Sequence, residues 1–340
     1  MPAQTPAIER LRLILLGDVM LGRLVNQVLE KVPPEYPWGD VLPVLLSADA
    51  LILNLECVIS DLGEPWPEKV FVFRSDPKNV AVLEQARVTV ASLANNHAMD
   101  MGREALLECL AALEAHGIRA AGAGPSLEAA RRPALFSLGP LTAAMVAFTD
   151  NEPGWEAKGA TPGTFYAPVD PTDGRFRVLL DIIREASRRA DLTIVSAHWG
   201  PNWGEAPPRA HVEAAHLLVD AGADVVFGHS AHIFRGVGLY RGGPILYSCG
   251  DFVDDYAVDE VERNDESFVF ALDFEGKQLR RLLLIPTVIR NFQAQLARGR
   301  EQRDILRKML ERSAALGTLL HETREGLELA PVREERAPEP

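Results

Sequence analysis

Cysteine is scarce in this chain: Cys57, Cys109 and Cys249 are the only three in 340 residues. They are too few and too scattered for a disulfide framework or a thiolate-bound zinc site, and buried thiols are the expectation. Long apolar runs are also missing. No stretch approaches the roughly 20 residues of a membrane-spanning helix. The first residues, MPAQTPAIERLRLILL, lack a signal peptide's succession of basic segment, apolar core and small-residue cleavage site. A cytoplasmic protein with no integral membrane segment is therefore expected. Positive charge is short as well: 35 Lys and Arg stand against 48 Asp and Glu, a formal net charge of −13. That argues against nucleic acid as a general partner, since phosphate-backbone binding calls for a basic face. No G-x-S-x-G elbow, P-loop, dinucleotide fingerprint or internal repeat is present.

What the chain has is apolar runs that end in polar residues. They are LRLILLGDVMLGR with Asp18, ALILNLE with Asn54 and Glu56, and VTVASLANNHAMD with Asn95, Asn96 and His97. Two more are LTIVSAHWG with His198 and ADVVFGHSAHIFRG with His229 and His232. Each run reads as a buried strand. Strands alternate with helical patterns early (helices at 21–31, 102–115, 176–189 and 208–220) and with strands late, which favours a mixed, layered α/β fold. A hairpin is expected around Gly139-Pro140, a long surface loop over 151–174, and a long helical run over 293–316. In such sheets ligand sites form beyond the carboxyl ends of the strands, where all these polar residues fall.

Hard oxygen ligands together with imidazoles on one rim suggest a metal-dependent hydrolase. Each residue carries an alternative. Asp18 ligates a metal or caps the following helix. Glu56 bridges metals or serves a surface or capping role. Asn54 shares its strand face and reads as a hydrogen-bonding buttress. Asn96 offers a neutral oxygen, or belongs to an amide-rich turn. His97 stays off the metal and donates a proton to a leaving group, with Asp100 either orienting it or capping the helix near Gly102. His198 reads as a ligand beside those carboxylates. His229 and His232 are both ligands, or one contacts substrate. His116, His211, His216 and His321 read as structural or surface residues.

The motifs GDVMLGR, NLE, LANNHAMDMG, AHWG, GHSAH and YSCGDFVDD occur in this order between residues 17 and 255. Together they resemble the capsule-synthesis CapA / poly-gamma-glutamate biosynthesis family, related to the calcineurin-like metallophosphoesterases. The resemblance implies a four-layer α/β/β/α metallophosphatase-like domain over 10–290, a helical extension over 291–330 and a disordered tail over 331–340. It implies metal positions at Asp18, Glu56, Asn96, His198, His229 and His232, and a general acid at His97. One or two divalent ions (manganese, iron or zinc) and an anionic small-molecule or polymer substrate follow from it. Arg23, Arg74 and Arg235 either clamp that substrate or form structural salt bridges. The chain departs from the phosphoesterases at Met20, where they carry histidine. Water, Asn54 or Asp251 are the candidates to compensate. The activity implied is hydrolysis of a phosphoester or of a polyglutamate-like amide by metal-activated water. The alternative is a non-catalytic metal-binding component of a capsule synthesis or export assembly.

Overall fold

A computed structural model describes residues 10–329, so the tail reading and the first nine residues lie outside the described residues. Two large sheets form the centre. The ten-stranded sheet holds Arg10–Val19 between the parallel strand Ala50–Leu55 and the antiparallel strand Glu266–Glu275. Val90–Ser92 and Arg119–Ala121 extend it in parallel on one side, and Gln278–Arg290 and Leu327–Leu329 in antiparallel fashion on the other. The six-stranded sheet runs Val237–Tyr240, Gly243–Leu246, Val225–His229, Leu192–His198, Leu141–Thr149, Ala134–Leu138.

Alternation along the strands produces the layers. In the first strand Leu11, Leu13 and Leu15 join Phe136, Met145, Ile194 and Phe227 in the core between the two sheets. Ile14 and Leu16 face the other way, against Ala105, Leu106 and Cys109 of the helix Gly102–Ala115. On the second sheet Val146, Phe148 and Val195 pack against Phe176, Leu179 and Ile183 of the helix Gly174–Arg189 and Ala214 and Leu218 of the helix Arg209–Asp220. Three apolar cores thus separate helix, sheet, sheet and helix, a mixed α/β sandwich of the metallophosphoesterase type. All three cysteines are free and buried.

Several expected elements differ. The run expected to be helical from Gln293 begins as a strand, Gln293–Leu296, paired with the Gln278–Arg290 strand; the helix spans Gly299–Ala314. The sequence Gln-Ala-Gln-Leu fits either period, and ladder pairing decides it. Segment 151–174 is no simple surface loop. Trp155 and Phe165 are fully buried and Gly163–Thr164 pairs with Ala123–Gly124. Between Asp61 and Phe73 the chain is irregular, and pairing with Val58–Ile59 begins at Arg74–Ser75.

A candidate metal centre at the rim of two sheets

Both sheets deliver their parallel strands' carboxyl ends to one place. Asp18 lies near the end of the first strand, at a register irregularity between Leu16 and Asp18. Gly17 makes this possible: a Cβ there would lie 1.8 Å from the Gly250 carbonyl oxygen. Glu56 follows its strand directly, and His198 and His229 are the last residues of theirs, paired in register. The chain then turns sharply, with Ser230 at φ +101° and His232 at φ +60°. Positive φ is costly for such side chains, and it aims His232 back at the rim.

Ligand atoms of Asp18, His198 and His229 lie within 4.8 Å of one another, as do those of Asp18, Glu56, His232 and Asp251. All are buried. Asn54 donates to Asp18 Oδ1 at 2.8 Å and to Glu56 Oε2 at 3.4 Å, and it accepts from Asn95 at 3.0 Å. Its amide therefore buttresses the carboxylates. Asn95 also accepts the His97 N–H at 3.0 Å, fixing the next residues. Asn96 is half-buried, and its Oδ1 has no hydrogen-bond partner. His97 Nδ1 lies 2.6 Å from Asp100 Oδ2, and His97 Nε2 lies 3.9 Å from Glu56 Oε1. Because a carboxylate only accepts, Nδ1 carries the proton and Nε2 faces the carboxylate cluster. Phe73 stacks on the ring at 3.7 Å, and its N–H donates to the same Asp100 oxygen.

The electrostatics suit cations. Among the described residues Asp18, Glu56 and Asp251 make no ion pair with Lys or Arg; only histidines approach them. Burial, then the Asp18 charge, pushes Glu56 far above the usual carboxylate range, and Asp251 likewise. Burial, then Asp251, raises Asp254. Burial lowers His97, His198 and His232, and pushes His229 down to about 4. Carboxylates repelling one another beside imidazoles held neutral are a donor set built for divalent metal. Orphaned buried oxygens Glu56 Oε1 and Asp251 Oδ2 fit the same reading, because an unpaired buried acceptor is costly. His198 Nδ1 faces His229 Nδ1 at 2.8 Å, so two lone pairs converge unless a proton or cation lies between. Two buried clusters sharing Asp18 thus form the kind of centre used by metal-dependent hydrolases.

A cleft of about 550 Å³ opens onto this centre, lined by His97, Asn96, His232, Tyr256, Phe73 and Trp203 among others. Arg23 stands on its wall, exposed, 3.3 Å from Asp255. Arg74, expected as a second clamp, is not in the lining; it donates to the Ser60 carbonyl and pairs with Asp61 at 3.0 Å. Arg235 is buried and outside the lining; it donates to the backbone carbonyls of Gly204 and of Trp203, which lines the cleft. Lys69 is the cation that sequence reading missed. Its ammonium bonds the Asn96 carbonyl and Glu152 and lies 3.7 Å from Asp100. Nothing local distinguishes it from a surface lysine. His116, His211, His216 and His321 all lie outside the clusters.

Residues 12–256 match the protein family described as "Bacterial capsule synthesis protein PGA_cap". A Mycobacterium tuberculosis protein named "Probable polyglutamine synthesis accessory protein" is 38% identical over 284 residues, covering 71% of this chain and 73% of that one. The Bacillus subtilis "PGA biosynthesis protein CapA" is 31% identical over 261 residues, covering 74% and 67%. Among solved structures, one described as a novel phosphatase of Mycoplasma pneumoniae superposes with a TM-score of 0.52 over 83% of this chain and 95% of that one. At 12% identity this is a likeness of fold. Motif order, the two-sheet rim and a family match across most of the chain agree: the protein belongs to the bacterial capsule synthesis PGA_cap family.

Proposed function

We propose that this chain is a metal-dependent hydrolase acting on an anionic substrate, at a phosphoester or at a polyglutamate-like amide. The observation that carries the reading is the pair of buried acid–imidazole clusters that meets an open cleft at His232, with His97 lining the same cleft. Asp18, Glu56, Asn96, His198, His229 and His232 would hold one or two divalent ions, drawn from manganese, iron and zinc. Ions bound there would supply an activated water and draw charge from the scissile group. The chain's own residues do the rest. Asp100 holds His97 Nδ1–H, so proton transfer to the leaving group runs through Nε2. Burial lowers the His97 pKa, while the Asp100 carboxylate works against it and favours the proton-donating imidazolium. Arg23 offers an exposed guanidinium to the substrate's negative charge at the mouth of the cleft.

The amide alternative is supported by the names of the relatives, which concern polyglutamine and PGA synthesis, and the phosphoester alternative by the fold neighbour described as a phosphatase. Those same names, "accessory" and "biosynthesis", favour a second reading, a non-catalytic metal-binding component of a polymer-synthesis assembly. One experiment separates them. Apo-protein is reloaded with manganese, iron or zinc and assayed on panels of phosphoesters and glutamyl amides. Turnover that disappears in Glu56→Gln and His229→Ala supports the enzyme. Bound metal without turnover on either panel overturns it in favour of the binding role. A cytoplasmic site of action belongs to this proposal and is checked by cell fractionation.

A further inference from the structure

We propose that Asp251 is a metal ligand, and that it makes the two cation positions chemically unequal. The inference rests on the reading that the centre binds cations. The backbone brings residue 251 to residue 18 across more than two hundred residues of sequence. The Asp251–Val253 strand lies parallel to the first strand with Asp251 opposite Asp18. The Asp18 N–H donates to the Gly250 carbonyl at 2.9 Å, and the Met20 N–H to the Val253 carbonyl at 2.8 Å. The absent side chain of Gly17 lets the two segments touch.

The carboxylate itself is 1% exposed. Its Oδ1 lies 3.0 Å from His232 Nδ1, and its Oδ2 has no hydrogen-bond partner. Its ligand atom falls within 4.8 Å of those of Asp18, Glu56 and His232. Met20 supplies nothing to this position. It packs in the apolar core, and its sulfur accepts the Gly22 N–H at 3.0 Å. The donor sets then differ in kind. Asp18, His198 and His229 offer two imidazoles and one carboxylate, whereas Asp18, Glu56, His232 and Asp251 offer three carboxylates and one imidazole. Imidazole-rich positions suit zinc or iron, and carboxylate-rich ones suit manganese or magnesium. Zinc outcompetes manganese at any one site when the two are equally available, so a centre of this composition sorts a supply in which manganese is in large excess: zinc to the first position, manganese to the second.

The rival role for Asp251 is to hold the His232 ring by a hydrogen bond, as carboxylates commonly do behind a ligating histidine. Asp251→Asn separates the two. Asparagine keeps an oxygen for His232 Nδ1–H but removes the second anionic oxygen. The full chain is stripped with chelator and dialysed against manganese in large excess over zinc buffered at a low free concentration, and metals per chain are measured by plasma mass spectrometry. The expected wild-type content is about one manganese and about one zinc. In Asp251→Asn manganese affinity falls by more than the roughly 10- to 100-fold that loss of an outer-shell partner costs, while zinc is retained. His198→Gln shows the reverse, loss of zinc with manganese kept. Should Asp251→Asn fail to fold by circular dichroism, the wild-type partition and His198→Gln decide. Two ions of one kind in the wild type, or manganese affinity lowered by about 100-fold or less in a folded Asp251→Asn, overturns the inference while leaving the metal centre standing. A wild-type chain that takes up neither ion overturns both.

Discussion

His97 shows how much one side chain depends on its neighbours. Phe73 covers one face of the ring, Asp100 fixes its proton, and Asn95 fixes its backbone. None of these touches the metal cluster. His97→Ala should therefore lower turnover about 10²- to 10⁴-fold with metal content unchanged, whereas Asp18→Ala should lower metal content itself. Equal metal loss in both variants, measured by the same mass spectrometry, would defeat that division of labour. His211 is a contrasting residue, buried outside the clusters. It stacks on Trp199 at 5.0 Å and packs where Gly200 has no Cβ. Burial pushes its pKa down to about 4 from an ordinary 6.5. The unfolded chain therefore takes up this proton first. The neutral ring's contribution to stability is complete above about pH 6.5 and is lost as pH falls from there to about 4. Relative to His211→Phe, which keeps the stacking, the wild type should lose on the order of 3 kcal/mol across that interval. A stability difference independent of pH in denaturant titrations would contradict this.

At the scale of elements, the rim is assembled by close backbone approach. Gly17 and Gly250 lie back to back, and a methyl at Gly17 would push the Asp251–Val253 strand off the first strand. Gly17→Ala should cost more than about 2 kcal/mol and reduce metal content in the folded fraction. Gly154→Ala, where a Cβ meets nothing within 4 Å, is the matched control and should leave both unchanged. The 60–75 segment is a second such element. Its Trp66 N–H donates to the Asp100 carbonyl, Phe73 to the Asp100 carboxylate, and Lys69 to the Asn96 carbonyl. Lys69→Met should loosen this lip. The expected result is a rise in KM larger than the fall in kcat, with metal content preserved; a change in kcat alone would place Lys69 in the chemistry instead.

For the whole molecule, the fold gathers buried carboxyl groups, Glu56 and Asp251 among them, that take up a proton or a bound cation instead of pairing with Lys or Arg. Carboxyl groups whose pKa is raised on folding, as Glu56, Asp251 and Asp254 are, contribute stability at low pH. They lose it as pH rises above the ordinary carboxylate value of about 4. Above about pH 6.5, where the buried histidines are neutral in the folded and unfolded chain alike, the metal-free chain should therefore weaken with rising pH, and added manganese should restore it. At a hundredfold excess over Kd the restoration is about 3 kcal/mol per site, or several degrees in Tm. The metal-induced rise in Tm should grow between about pH 5 and pH 8, since ligands must be deprotonated to bind. A rise that shrinks over that range in scanning calorimetry would speak against a carboxylate-rich centre.

Sequence alone determined the buried strands, the layered α/β class and the polar residues at strand ends, because alternation and apolar length are local properties of the chain. Asp18, Glu56, His198 and His229 were legible for that reason: each terminates its own run. Tertiary structure alone decided that Asp251 sits beside Asp18, that Lys69 reaches Asn96, and that Arg74 pairs with Asp61 rather than lining the cleft. It also decided that Gln293–Leu296 is a strand. Those facts depend on which distant segments meet. A carboxylate in a loop looks the same in sequence whether it faces water or a second buried carboxylate; only packing sets that distance, and with it the charge that must be neutralised.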